Sequence, residues 1–503
     1  MDIINHLVLG FNVALSLNNL LFCFVGVLIG TLIGVLPGIG PVATISLLLP
    51  ITFGMEPVTS IIMLCGVYYG AMYGGSTTSI LVNIPGEAAS IVTCLDGYQM
   101  ARKGLAGPAL GMSAFGSFIG GTVSIIGLMI LAPLLSRLAL KFGPPEYFAL
   151  MLFGLTMVTY LCMGSITKGL IMAVAGIAIS TIGQDPISGI TRFTLGSLTL
   201  MDGVGIVPAA MGVFGIGEIL TNIEGGMKQE VFVTKIKGLL PTLKDWINCK
   251  WPIIRGTLIG FFMGILPGTG ALIPTFIAYS VEKRLSRHPE RFGTGMIEGV
   301  AAPETANNAA TGGSLVPLLS LGIPANVVMA VLLGAFIIHG IQPGPLLISK
   351  HPSLFWGTIA SMYIGNIMLL MLNLPLIGLW VKILKIPYSL LFPLILLFCF
   401  IGVYSLNSNI YEILIMVVLG VFGYLIRKFG FEAGPFLLAM VLGPFMEVNF
   451  RQSLLFKDPL IFFKRPISAV LLVTSLFMLI SPIFSKISQR RKKLERVLEE
   501  EKL

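Results

Sequence analysis

The chain has 503 residues, 55% of them hydrophobic and only 11% charged, with a mean hydropathy of +0.93. That composition excludes an ordinary soluble globular domain, and repeated apolar runs of about 20 residues predict a multi-spanning membrane protein. The net charge of +9 is no argument for nucleic acid, because the basic residues lie mostly in short loops and the C-terminal tail, where they set topology.

In chain order, residues 1–20 are mildly apolar and read as an interfacial segment, without the basic start and cleavage site of a removable signal. Residues 26–53 form an apolar run broken at Leu36-Pro-Gly-Ile-Gly40. Proline removes a backbone donor and glycine accepts positive φ, so a helix entering this stretch stops there. The next run, 57–95, carries Gly74-Gly-Ser-Thr-Thr-Ser79 and Asn83-Ile-Pro-Gly-Glu87, both read as interruptions. Apolar segments follow at 108–136, 146–163, 165–183 and 203–222, and a polar, basic connection ends at Arg255.

The second half repeats this order. Gly30-Thr-Leu-Ile-Gly-Val-Leu-Pro-Gly-Ile-Gly40 returns as Gly260-Phe-Phe-Met-Gly-Ile-Leu-Pro-Gly-Thr-Gly270. Gly74-Gly-Ser76 and Asn83-Ile-Pro85 return as Gly312-Gly-Ser314 and Gly322-Ile-Pro324 within a run at 296–347. Segments at 354–381, 386–405, 409–426 and 430–447 complete the copy; 466–485 is an extra helix before a charged tail. Ordered matches at similar offsets predict two repeats. The predicted organisation is a first repeat at 1–225 (hairpin 26–53, broken helix 57–95) and a cytoplasmic connection at 226–255. A second repeat at 256–450 (hairpin 256–279, broken helix 296–347) and a C-terminal helix and tail at 451–503 complete it.

Charge tests whether the copies are parallel or inverted. If each interrupted run is a re-entrant hairpin followed by five spans, and the N-terminus is outside, most of the basic residues face the cytoplasm. Only Arg137, Lys141, Arg192, Lys350, Arg451, Lys457, Lys464 and Arg465 then lie outside, in keeping with the positive-inside rule. An odd number of spans per half inverts the second copy and leaves the C-terminus in the cytoplasm. The predicted fold is thus all-α and polytopic, with two inverted repeats and an extra C-terminal helix.

Unwound backbone at membrane depth is tolerated only where it is buried in protein or lines a cavity. The tips Gly38-Ile39-Gly40 and Gly268-Thr269-Gly270 are therefore candidate binding elements. Helix N-termini there suit a carboxylate, and freed carbonyls suit Na⁺, with Gly38, Gly268 and Glu304 as candidate cation positions. Ser76, Thr77, Thr78 and Asn83 in the first copy, and Asn307, Asn308, Thr311 and Ser314 in the second, supply hydroxyls and amides that need partners. Small polar residues also serve ordinary helix packing, so each has a purely structural reading as well. Glu87 and Glu304 read as residues at cavity mouths, and Lys168 and Arg192 as snorkelling side chains near segment ends. The six cysteines are scattered and the four histidines form no cluster, so neither a disulfide nor a bound metal is predicted from them. No hydrolase elbow, zinc-protease or Walker sequence is present, which predicts a protein that is not an enzyme and draws energy from an ion gradient.

Gly34-Val-Leu-Pro-Gly-Ile-Gly-Pro41, Tyr69-Gly-Ala-Met-Tyr-Gly-Gly-Ser-Thr-Thr78, Ile84-Pro-Gly-Glu-Ala-Ala89 and Pro303-Glu-Thr-Ala-Asn-Asn-Ala-Ala310 resemble the large membrane subunit, the TctA family, of tripartite tricarboxylate transporters. The resemblance implies a multi-pass permease of a prokaryotic inner membrane with elevator-like architecture and no resident cofactor. Its implied partners are a small membrane subunit of about four helices, an extracytoplasmic solute-binding protein and the lipid bilayer. Its implied solute is citrate or another carboxylate, coupled to Na⁺ or H⁺. The rival readings are a stand-alone secondary transporter and, from another class, an ion channel.

Overall fold

A computed structural model describes residues 3–36, 40–161, 165–225, 238–384, 388–458 and 460–481. Among these, six helices are long and apolar enough to cross a membrane, and the chain is an all-α polytopic membrane protein. The N-terminal segment predicted to be interfacial is a helix, α1 (Ile3–Ala14), whose Gly10 lies against the backbone of Trp356.

Helix α2 (Leu17–Val35) begins nine residues before the predicted hairpin at 26–53 and ends at Leu36, which is extended because Pro37 follows. After the tip come α3 (Gly40–Thr52) and α4 (Pro57–Val82). Gly26, Gly30 and Gly34 of α2 sit where a Cβ would stand 2.1–2.3 Å from the carbonyl oxygens of Met63, Val67 and Ala71. The constant spacing makes α2 and α4 parallel, with backbones at contact distance, as small-residue stripes allow. Parallel neighbours require α3 to carry the chain back. Thr59 Oγ1 donates to Asn19 Oδ1 at 2.5 Å, so the chain returns to the level where α2 began. Residues 17–52 thus form a helical hairpin.

Helix α4 runs unbroken through Gly74–Ser79, against expectation. A glycine inside a helix costs only about 1 kcal/mol, and the close approach it permits offsets that: a Cβ at Gly74 would meet Thr31 O at 2.4 Å. The break comes instead at Asn83, left-handed at φ 59, just before Ile84-Pro85. The chain then forms short helical turns over 88–102, including a π-turn at Cys94–Tyr98.

Next come α5 (Ala106–Ala139), α6 (Pro144–Leu161), α7 (Ile166–Ser180), a two-stranded hairpin pairing Gly183–Gln184 with Thr191–Arg192, and α8 (Ile206–Glu224). Helix α9 (Leu243–Ile265) opens on a capping box between Thr242 and Asp245. It is followed by α10 (Leu272–Leu285) and α11 (Glu298–Leu321). Here Gly256, Gly260 and Gly264 approach the carbonyls of Ala302, Ala306 and Ala310 at 2.3–2.5 Å by the same measure, so α9 and α11 are also parallel. Arg255 forks onto Glu282 at 2.7 and 2.9 Å, joining the middle of α9 to the end of α10. Residues 243–285 form a second hairpin. Helix α11 also runs through its Gly312-Gly-Ser314, and breaks at Gly322, φ 73.

The chain ends with α12 (Val327–Ile338), α13 (Pro352–Asn373), α14 (Ile377–Ile383), α15 (Tyr388–Asn407), α16 (Ile410–Lys428), α17 (Gly434–Leu454) and α18 (Pro466–Ser481). The run predicted at 354–381 is therefore two helices. Helices α4 and α11 form the centre, buried along almost their whole lengths. Helices α2, α3 and α13 pack on α4; α9, α10 and α5 pack on α11.

Charged side chains at the helix ends bind neighbouring loops rather than snorkelling. Lys168 Nζ donates to Phe429 O at 2.6 Å, Lys103 Nζ to Thr294 O at 2.5 Å, and Lys428 pairs with Glu224. Arg192 forks onto Glu447, Arg451 pairs with Asp185 at 2.7 Å, and Arg465 with Glu146. Each contact joins loops that the charge distribution assigns to one side.

Candidate functional site: the seam between the two central helices

Helices α4 and α11 cross antiparallel. Ser76 meets Glu304, Asn307 Nδ2 lies 3.5 Å from Met72 O, and Asn326, just past α11, reaches Tyr68 Oη at 3.4 Å. At this seam both Glu304 and Glu87 are buried, not at cavity mouths as predicted. Glu304 accepts hydroxyls from Ser76 and Thr93, from Ser113 at 3.1 Å and from Ser117 at 3.4 Å. Four hydroxyls from three other chain segments replace the water that a carboxylate loses on burial. Glu87 follows the Asn83 break; it accepts from Ala89 N at 2.5 Å and from Asn307 Nδ2 at 3.3 Å. Its approach depends on Gly75, where a Cβ would stand 2.8 Å from the Glu87 Cγ.

The other predicted polar residues divide. Asn308 Nδ2 reaches back to Glu304 O at 3.3 Å. The hydroxyls of Thr78, Thr311 and Ser314 bond to carbonyls of their own helices, a local satisfaction common in apolar surroundings. Thr77 is buried, and Asn83 is exposed at its break. Asn308 and Thr311 also border a void shared with Tyr69, Ser124 and Asn366. At 20 Å³ it holds a water at most, against the roughly 10–15 Å³ a water centre requires.

At the second tip, Gly268 N donates to Ala325 O at 2.7 Å, fastening the hairpin to the break after α11. Gly268 has φ +88, and a Cβ there would stand 2.5 Å from the Val158 Cα. Thr269 Oγ1 donates to Met263 O at 2.5 Å and closes the end of α9. Gly270 is left-handed too, as is Gly40, the first residue of α3. Gly38 and Ile39 of the first tip lie outside the described residues.

A crevice reaches this second break. A cavity of 520 Å³ rimmed by Lys350 and His351 shares Tyr147, Leu321 and Gln342 with one of 250 Å³ that touches Gly322, Ile323 and Asn449. Gly322 and Ile323 belong to a break that the sequence marked, whereas sequence reasoning missed Tyr147, Gln342 and Asn449, which stand on elements without a motif. It also missed Asp96, fully buried in the π-turn, which accepts from the backbone N–H of Gly293, Gly295 and Met296 at 2.7–3.0 Å and from Tyr279 Oη at 2.8 Å. Asp96 thereby fixes the approach to α11. The signal was there: a lone acid in an apolar run needs a reason.

The model of the tripartite tricarboxylate transporter TctA family matches residues 20–438, from α2 into α17. The chain belongs to the TctA family. Its TctA-matching region holds both hairpins, both breaks and the seam, and omits α1 and α18. A similar protein of Agrobacterium vitis, an uncharacterised 52.8 kDa protein in the TAR-I ttuC' 3' region, is 52% identical over 496 residues, covering 98% of this chain and 99% of that one. Another, from the TAR-II ttuC' 3' region of the same organism, is 50% identical over 234 residues, covering 46% of this chain and 97% of the relative. No solved structure matches this TctA chain. TctA proteins are the large membrane subunits of tripartite transporters, so this is a transporter subunit rather than a recognised enzyme.

Proposed function

We propose that this chain is the permease of a binding-protein-dependent secondary transporter that imports tricarboxylates or related carboxylates across a prokaryotic inner membrane. A Na⁺ or H⁺ gradient drives uptake. A small membrane subunit completes the membrane unit, and an extracytoplasmic binding protein delivers solute on the side where the N-terminus lies. The observation that carries this reading is the antiparallel crossing of two buried helices, each ending in a left-handed break beside a helical hairpin. Two units of one design running in opposite directions are the signature of alternating-access carriers.

The inverted-repeat reading, with halves at 1–225 and 256–450, draws further support from exchanged packing. Helix α5 lies on α11 and α13 on α4, while α7 packs on α17 and α16 on α8. In this reading the hairpins and central helices move as one body against the remaining spans, in an elevator-like manner. Solute is held by backbone and amides around Gly268, Thr269, Gly270, Asn307 and Asn308, with Gly38, Ile39 and Gly40 contributing from the first tip. Ser76, Thr77, Thr78, Asn83, Thr311 and Ser314 line or support the route, and a coupling cation sits near the tips or Glu304.

Reconstitution with the small subunit and binding protein, followed by uptake of citrate and other carboxylates under imposed Na⁺ or pH gradients, tests this. Asn307→Ala and Thr77→Ala are expected to abolish uptake while the protein remains in the membrane. Full uptake by the large subunit alone would instead establish a stand-alone carrier, and dissipation without accumulation would establish a channel.

A further inference from the structure

The seam carries more negative charge than its neighbours balance. Glu87 and Glu304 stand near one another, both buried. Among the described residues, no Lys, Arg or His forms an ion pair with either. The titratable groups close to them are Tyr68 and Tyr73 of α4 and Cys94 of the following segment, none of which supplies positive charge. An ion buried in low dielectric without a counter-charge is expensive enough that the site neutralises or binds a cation.

The two carboxylates differ in their surroundings. Glu304 has its four hydroxyl donors. Glu87 has the backbone N–H of Ala89, the side chain of Ser90 close by, and the side-chain amide of Asn307, itself fully buried. The other end of that amide, Asn307 Oδ1, is buried without a hydrogen-bond partner. Turning the amide over does not repair this. It would set Oδ1 against the Glu87 Oε1 across the same 3.3 Å, two acceptors facing each other. Either way round, the pair lacks one donor or cation. With the amide turned over, a proton on the Glu87 carboxyl, donated to Oδ1, supplies it. So does a sodium ion, a hard cation that takes carboxylate, amide and carbonyl oxygens, and the Met72 carbonyl is at hand.

We infer that Glu87 and Asn307 together bind the monovalent coupling cation, H⁺ or Na⁺, at the junction of the first helix break with α11. This rests on reading the chain as a cation-coupled transporter and gives that reading a specific ion site. Because Glu87 belongs to the first half and Asn307 to the second, the cation closes the seam and ties the two halves together when it is bound.

The test uses the purified full chain in nanodiscs, with no solute present. Thermal unfolding is followed in NaCl against choline chloride at constant ionic strength, and from pH 5 to 9. A sodium site raises the melting temperature by about 2–3 °C at a hundred times its dissociation constant. A proton site makes the melting temperature fall as pH rises, because the neutral carboxyl is the form the fold favours. In Glu87→Gln, a permanently neutral isostere, whichever response the wild type has is lost. Asn307→Ala keeps the carboxylate and shifts the response about ten-fold in cation concentration, a loss of about 1.4 kcal/mol. Asn307→Ala also decides the matter should Glu87→Gln fail to fold. A wild type indifferent to both cations, or variants with unchanged midpoints, would overturn the assignment. A cation response in a reconstituted complex that moves no carboxylate would overturn the transport reading and leave the site standing.

Discussion

The two hairpin units share a skeleton but not a chemistry. In both, three glycines four residues apart seat a hairpin helix on the carbonyls of a central helix, and in both that helix ends in a left-handed residue before Ile-Pro. The charged residues are distributed unevenly. The chain after the first break carries the buried acids Glu87 and Asp96, whereas the chain after the second carries Asn326, whose side chain accepts from Met329 N as an N-cap. Of the two central helices only α11 holds carboxylates, Glu298 in its first turn and the fully buried Glu304, whose hydroxyl partners come from the first half. The two units therefore share a backbone plan, and the polar seam depends on what each unit lacks.

The strongest test of the shared skeleton is Gly34→Leu beside Gly264→Leu. A Cβ at these positions would stand 2.3 and 2.4 Å from the Ala71 and Ala310 carbonyl oxygens. Both should lose at least about 3 kcal/mol and yield little folded protein by fluorescence-detected size exclusion, since overpacking leaves the backbone nowhere to go. A tolerated substitution in one unit alone would show that the two units pack differently.

Asp96→Asn probes the dependence of one half on the other. It leaves one oxygen to serve three backbone donors and a tyrosine hydroxyl, for an expected loss of about 1–3 kcal/mol in thermal unfolding. Exchange of the backbone amides at 293–296 should speed up with it. Unchanged protection there would refute the anchoring role.

The breaks should respond unequally. Gly322→Ala combines left-handed strain of about 1–2 kcal/mol with a Cβ 2.5 Å from Pro343 O. Asn83→Ala bears only the strain, and Asn83→Gly should fall within about 0.5 kcal/mol of the parent, because asparagine already tolerates this region. Equal losses for both alanine variants would remove the role given to the Pro343 contact.

The smallest effect lies at the hairpin 183–192. Backbone N–H groups of Ser188 and Ile187 and the guanidinium of Arg451 hold the Asp185 carboxyl well below the usual carboxylate range. With a depressed value in the fold, the stabilisation is present above the unfolded value of about 3.9 and is lost as pH falls below it. The mobility of a nitroxide attached to a cysteine placed at Ile187, read by electron paramagnetic resonance, should be unchanged between pH 8 and 5 and should increase only in stronger acid. A transition near neutrality would exclude Asp185 as its origin.

The helix stops at Leu36 and Leu266 were legible because Leu-Pro-Gly-x-Gly imposes its stop locally, through a missing donor and positive φ. The Asn83-Ile-Pro and Gly322-Ile-Pro breaks were legible for the same reason. Gly74-Gly-Ser76 and Gly312-Gly-Ser314 misled because a glycine pair weakens a helix without ending it, and the choice between break and contact is made by a partner far along the chain. A Cβ at Gly313 would meet Phe261 O at 2.4 Å, and one at Gly312 would meet Ser124 Oγ at 2.2 Å. The hydroxyl cage of Glu304 was out of reach for the same cause, since Thr93, Ser113 and Ser117 reach it only through tertiary packing.

The antiparallel crossing of α4 and α11 bears on where the molecule can shear. Ser76, Met72 and Tyr68 meet Glu304, Asn307 and Asn326 in order along the crossing. Sliding one helix past the other by a single turn, about 5.4 Å, would strand all of these polar groups at once. Slippage there is barred for as long as the seam stays dry, and any large displacement must pass instead along surfaces held by apolar side chains, whose contacts can be exchanged without loss of hydrogen bonds.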